Sequence, residues 1–165
     1  IDGNATLGRE LASKGFDIIL TPVGGGGLIS GIITGLRETD DHAEVIGIEP
    51  RLGNDAARSL KAGYIVANES EPLTLADGAR TISVGQLNWP IIRDGAADIL
   101  EVGDDTIAHA VRLYFDLANL KVEPTGALTL AALLEYPDTF RDKKVCLVVS
   151  GGNVDPAVYL RLIEN

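Results

Sequence analysis

The sequence is poor in several residue types, and each shortage excludes something. One cysteine, Cys146, and no methionine occur in 165 residues. A single cysteine excludes an intramolecular disulfide framework and a cysteine-based metal cluster. Aromatic residues are only 5% of the chain. Its core must therefore rest on Val, Ile, Leu and Ala, which suits a parallel sheet covered by helices better than an all-β sandwich. Positive charge is scarce as well: 14 Lys and Arg stand against 24 Asp and Glu, for a net charge of −10. Such a surface repels a phosphate backbone and argues against nucleic-acid binding. No apolar run approaches the roughly 20 residues a membrane helix needs. The opening Ile1-Asp2-Gly3-Asn4-Ala5-Thr6 has neither the basic nor the apolar region of a secretory leader. These shortages predict a soluble, cytoplasmic chain with no membrane contact. The start at Ile1 without an initiator fits a cleaved or truncated product, or a processed mature protein.

What is present points to one α/β domain. Hydrophobic residues reach 45% and charged residues 23%, with 19 glycines, which argues against disorder. Short apolar runs at Asp17–Val23, Val45–Glu49, Asp98–Val102 and Val145–Val149 predict buried strands. Between them, helical spacing predicts helices over Ala5–Ser13 with Gly15 as its stop, Leu28–Leu36, Asp55–Leu60, Pro124–Leu134 and Pro156–Ile163. Another helix should start from a cap at Asp104 or Asp105, with an apolar stripe through Ile107, Ala110, Val111, Tyr114, Phe115 and Ala118. Residues 63–88 are the least regular stretch. The alternation predicts a doubly wound α/β layer: an open, mostly parallel sheet with helices on both faces.

Gly24-Gly25-Gly26-Gly27 is the sharpest local signal, lying between a strand and a helix. Glycine there permits positive φ and close ligand approach. Converging amides at a helix N-terminus favour an anion, with phosphate the natural guest. The run matches neither a P-loop nor a dinucleotide fingerprint, and a tight strand-to-helix turn is the structural alternative. Ser150-Gly151-Gly152-Asn153 also follows a strand, where ligands of open α/β sheets gather; read alone it is equally a loop turn. His42 and His109 have no triad context and are expected on the surface. Cys146 is expected to be a buried small hydrophobe.

Five segments occur in a telling order: Val23-Gly24-Gly25-Gly26-Gly27-Leu28, Glu49-Pro50, Ala76-Asp77-Gly78, Glu123-Pro124-Thr125-Gly126-Ala127 and Ser150-Gly151-Gly152-Asn153-Val154-Asp155. Together they resemble the fold type II pyridoxal-phosphate enzymes, in the threonine/serine dehydratase and serine racemase branch, over Gly3 to Asp155. The resemblance implies a large domain like that of the tryptophan synthase β chain. It implies that Gly24, Gly25, Gly26, Gly27 and the amide of Leu28 hold the phosphate of pyridoxal 5'-phosphate, and that Ser150 bonds its ring nitrogen. Gly78 would lie at the cofactor's face and Glu123 near the ring and substrate; Glu123 is equally readable as an acid satisfying a helix N-terminus. Glu49, the Gly53 carbonyl and Asp55 match the branch's site for Mg²⁺ or Ca²⁺, against the alternative of a turn with solvated acids.

The family's Schiff-base lysine lies in a Ser-x-Lys-x-Arg-Gly-type segment. The lysines here are Lys14, Lys61, Lys121, Lys143 and Lys144, and none has that context. Residues 1–165 therefore resemble the C-terminal portion of the large domain, without the small domain or the lysine segment and with no catalytic lysine of their own. The resemblance implies a dehydratase forming a 2-oxo acid and ammonia from L-threonine or L-serine, with 3-hydroxyaspartate a further candidate substrate. It also implies an N-terminal half of the same enzyme as partner and a homo-oligomer. Racemisation is the alternative within the family, and a non-catalytic phosphate- or nucleotide-binding module the alternative outside it.

Overall fold

The computed structural model describes residues 1–164. Four parallel strands, β1 (Ile18–Pro22), β2 (Glu44–Pro50), β3 (Asp98–Val102) and β4 (Val145–Leu147), form one sheet in the order β3-β2-β1-β4. Around it lie α1 (Asp2–Leu11), α2 (Gly27–Glu38), α3 (Asp55–Ala62), α4 (Trp89–Gly95), α5 (Asp104–Ala118), α6 (Pro124–Glu135) and α7 (Pro156–Glu164).

Alternation along the strands builds two cores. Ile18, Leu20, Ile46 and Ile48 point to one face, where Ile107, Val111, Leu128 and Ala131 of α5 and α6 meet them. Ile19, Val45 and Ile99 point to the other, against Ile29, Ile32 and Ile92 of α2 and α4. Each fully buried Ile or Leu removes enough apolar area from water to stabilise the fold by about 1.5–3 kcal/mol. Both faces of the two central strands are covered, which is why β1 and β2 read as nearly continuous apolar runs.

The strand order fixes where a ligand would bind. The chain steps outward from β1 to β2 to β3, then crosses to the other side of β1 to lay down β4. The order reverses between β1 and β4, and the crevice beyond the carboxyl ends of strands at such a reversal is where open α/β sheets bind ligands. The tetraglycine loop leaves β1 there, and Ser150-Gly151-Gly152-Asn153 follows β4.

Several local expectations shift. The first helix runs Asp2–Leu11 and ends before Ser13, which takes φ 62°, rather than stopping at Gly15. α5 is preceded by Gly103, and Asp104 and Asp105 both lie in its first turn. The Asp104 carboxylate instead accepts from the Thr74 hydroxyl (2.6 Å) and the Leu75 amide (2.9 Å), pinning the irregular 63–88 segment to α5. Phe115 and Ala118 are exposed, so the buried stripe of α5 ends at Tyr114. β4 is shorter than its apolar run, and Cys146 in it is half-buried rather than buried. His42 and His109 are exposed as expected. Among the described residues no helix is long and apolar enough to cross a membrane.

Candidate functional site

The loop after β1 has two kinds of glycine. Gly26 has φ 86° at the start of α2, and a Cβ there would sit 2.6 Å from Ile92 Cδ1. A Cβ on Gly24 would sit 2.7 Å from the Gly78 carbonyl oxygen. Those two positions are glycine for the turn and its packing. Gly25 is different: a Cβ there would meet nothing within 4 Å, and one on Gly27 would come no closer than 3.9 Å to Asn4 Nδ2. Neither backbone strain nor crowding within the chain demands glycine at 25 or 27. The open space over them is a cradle that side chains would fill, which fits an anion held by backbone amides. Gly26 has no side chain with which to cap α2, so the positive end of that helix dipole faces the cradle uncompensated.

A cavity of about 270 Å³ lies over this loop, lined by Pro22, Gly24, Gly25, Gly26, Gly27, Leu28, Gly78, Glu123, Thr125 and Ser150. It gathers every residue the sequence marks for the cofactor, from four separate segments. Larger hollows exist, one of about 500 Å³ beside Ile1 and residues 85–88, but the smaller one is the one that lies over the loops following β1 and β4, at the carboxyl ends of those strands. The Ser150 loop packs tightly on the start of α6: the Glu123 amide donates to the Gly151 carbonyl (3.2 Å). A Cβ on Gly151 would lie 2.8 Å from Glu123 Oε1. Glu123 thus sits at the N-terminus of α6 and at the cavity wall at once. Ser150 is exposed.

Pro22 and Thr125 are cavity residues that the sequence reading did not single out. The Thr125 hydroxyl accepts from the Gly78 amide at 3.0 Å and so holds the Asp77-Gly78 turn against α6. Its place inside the quoted Glu-Pro-Thr-Gly-Ala segment is the signal that could have found it. None of the five lysines lines the cavity; Lys144, for one, donates to the Lys14 carbonyl at 2.6 Å.

Glu49, Gly53 and Asp55 are buried together between β2 and α3. The Glu49 carboxylate accepts from the Ala56 amide (2.9 Å) and the Ala57 amide (2.8 Å), the first amides of α3. Burial pushes its pKa up to about 8 against those two bonds, with the nearby Asp55 and Glu101 charges adding to the rise. Burial also raises Asp55 to about 6, opposed among others by a bond from the Asn68 side chain (3.0 Å). Asp55 Oδ2 is buried with no hydrogen-bond partner. These acids are not solvated. An orphaned carboxylate oxygen beside a second buried carboxylate fits a hard cation with oxygen ligands. Among the described residues no cluster of three or more His, Cys, Asp and Glu side chains could hold a metal, so such a site would need a backbone carbonyl to complete it.

Residues 1–151 match the family model described as pyridoxal-phosphate dependent enzyme. The chain is 38% identical to an L-threo-3-hydroxyaspartate ammonia-lyase of a Pseudomonas species, over 98% of this chain and 51% of that protein. It is 35% identical to a serine racemase of Schizosaccharomyces pombe, over 98% and 50% respectively. Among solved structures, a threonine deaminase of T.th. superposes with a TM-score of 0.88 at 41% identity, covering 93% of this chain and 53% of that one. The chain spans about half the length of the curated relatives it matches. With the glycine cradle, the strand-order reversal and the family match in agreement, the chain belongs to the pyridoxal-phosphate dependent enzymes.

Proposed function

We propose that these residues form the cofactor-binding part of a dehydratase, an ammonia-lyase that converts L-threonine or L-serine to a 2-oxo acid and ammonia. The observation that carries this reading is the convergence of Gly24–Gly27, Gly78, Glu123 and Ser150 on one cavity. Bound pyridoxal phosphate supplies an electron sink for the charge left at the substrate Cα when its proton departs. The amides of Gly24–Leu28 would hold its phosphate. Ser150 would meet the ring nitrogen with a neutral hydroxyl, which stabilises a protonated ring less than a carboxylate would and tempers the sink in a way that suits β-elimination. Gly78, held by Thr125 and with no space for a Cβ beside that side chain, would lie at the cofactor's face. Glu123 stands at the ring and substrate side.

The reading extends to three further parts. An N-terminal half of the same enzyme supplies the Schiff-base lysine and substrate-carboxylate contacts, so residues 1–165 by themselves carry no dehydratase or racemase activity. Glu49, the Gly53 carbonyl and Asp55 bind Mg²⁺ or Ca²⁺, neutralising two buried acids. The enzyme is a cytoplasmic homo-oligomer of amino-acid metabolism. Racemisation is kept as the second reading because serine racemases stand among the relatives.

Titration of the intact protein with pyridoxal phosphate tests the core of the proposal. A visible absorbance band is expected, followed by 2-oxo acid and ammonia from L-threonine, L-serine or 3-hydroxyaspartate. A band with D-serine as the sole product transfers the assignment to racemisation. No band sinks both.

A further inference from the structure

We infer that Asn88 is a positioning residue for the phosphate loop, acting by fixing the carbonyl of Gly25. The inference rests on the phosphate-cradle reading above and adds what holds the cradle in shape. Four adjacent glycines make an intrinsically loose segment, since glycine gives up more backbone freedom on ordering than any other residue. Yet an amide cradle binds well only when its N–H groups already point at the anion.

The structure has a clamp for this. Asn88 Nδ2 donates to the Gly25 carbonyl at 2.6 Å, and the Gly85 amide donates to the same oxygen at 3.0 Å. The two bonds occupy the carbonyl from the side of the turn that leads into α4. In a planar trans peptide the N–H that follows points opposite to the carbonyl. Holding the Gly25 oxygen toward Asn88 therefore sends the Gly26 N–H to the other side of the loop. Residues 85–88 do not line the cavity, whereas Gly25 and Gly26 do.

Asn88 is itself held. Its backbone carbonyl accepts from the Ser30 hydroxyl (3.3 Å), a fully buried side chain of α2, and from the Ile92 amide (3.0 Å). A Cβ on Gly85 would sit 2.9 Å from Asn88 Nδ2 and 3.3 Å from the Gly25 oxygen, so the residue at 85 must be small for both donors to reach one acceptor. The side-chain amide is the element that chemistry selects here: only a donor satisfies a carbonyl already facing it.

The test compares pyridoxal phosphate with pyridoxal, which lacks the phosphate, as ligands of the intact protein and of Asn88→Ala and Asn88→Asp. Unsubstituted protein is expected to prefer the phosphorylated ligand. Asn88→Ala should lose about 5- to 10-fold in affinity for pyridoxal phosphate, the effect of one hydrogen bond, with pyridoxal affinity unchanged. Asn88→Asp keeps the shape but turns a carboxylate toward the Gly25 oxygen, and should lose more than Asn88→Ala. Phosphate-ligand affinities within twofold of the unsubstituted protein in both variants, or equal losses for both ligands, would overturn the positioning role. Equal affinity for the two ligands in the unsubstituted protein would instead remove the phosphate cradle, and the inference with it.

Discussion

Two helices start just beyond neighbouring strands of this sheet, and they treat their N-termini in opposite ways. α3, after β2, has its first amides bonded by the buried Glu49 carboxylate, at 2.9 and 2.8 Å. α2, after β1, begins at a left-handed glycine that offers no side-chain cap. The same physics operates at both ends: orphan N–H groups and a positive dipole end attract negative charge. At α3 the acceptor is part of the chain: the Glu49 carboxyl group, whose pKa burial raises to about 8, takes two of those N–H groups. At α2 the chain provides glycines over open space, and the anion is left to come from a ligand. One helix start is built for stability and the other for binding.

Four substitutions or additions tell the two corners apart. The largest effect is expected from Gly25→Asp, which puts a carboxylate into the cradle. Because a Cβ there meets nothing within 4 Å, thermal unfolding should stay near that of the unsubstituted protein, while affinity for pyridoxal phosphate falls by about 100-fold or more, on the order of 3 kcal/mol. A Gly25→Asp protein that still binds the cofactor would remove the loop from its phosphate role. Glu49→Ala should do the reverse. It strands two amides at the start of α3 and is expected to cost about 2–3 kcal/mol of stability, read from urea unfolding. Its phosphate cradle would stay intact, so matched losses at both sites would mean that the corners are not separate.

Adding Mg²⁺ or Ca²⁺ addresses the same acids from the other direction. At 100-fold over its dissociation constant, a cation bound only by the folded state adds about 2.7 kcal/mol. Glu49→Ala should abolish that gain. If neither cation nor EDTA moves the melting temperature, the buried pair serves the α3 corner alone. Ser150→Ala should have the smallest effect, lowering elimination by about 10- to 100-fold, or roughly 1.4–2.7 kcal/mol in the transition state. Unchanged turnover would take Ser150 away from the ring nitrogen.

The fold was largely legible because β1 and most of β2 are buried on both faces and so read as short apolar runs bounded by breakers. β3 coincides with its expected bounds, Asp98–Val102. The tetraglycine run and the Ser150 loop were legible for a related reason: long glycine runs are rare where a plain turn would do. What escaped was held by contacts distant in sequence. α4 has seven residues with Pro90 near its start, too short for a helical period to register. Asn88, just before it, bonds a carbonyl at Gly25, and no local pattern announces a partner that far away. The bonds from the α3 amides to Glu49 were equally hidden. In an acidic chain two carboxylates close in sequence fit a cation site or a solvated turn alike, and only the fold brings β2 and α3 together over them.

Everything proposed for the cavity depends on the amides of Gly24–Leu28 taking the phosphate of the cofactor. A crystal structure of the intact protein grown with pyridoxal phosphate decides it. Phosphate oxygens are expected within about 3 Å of those amides, with the Ser150 hydroxyl in hydrogen-bond range of the ring nitrogen. A phosphate seated elsewhere, with the glycine loop facing solvent or another group, would contradict it.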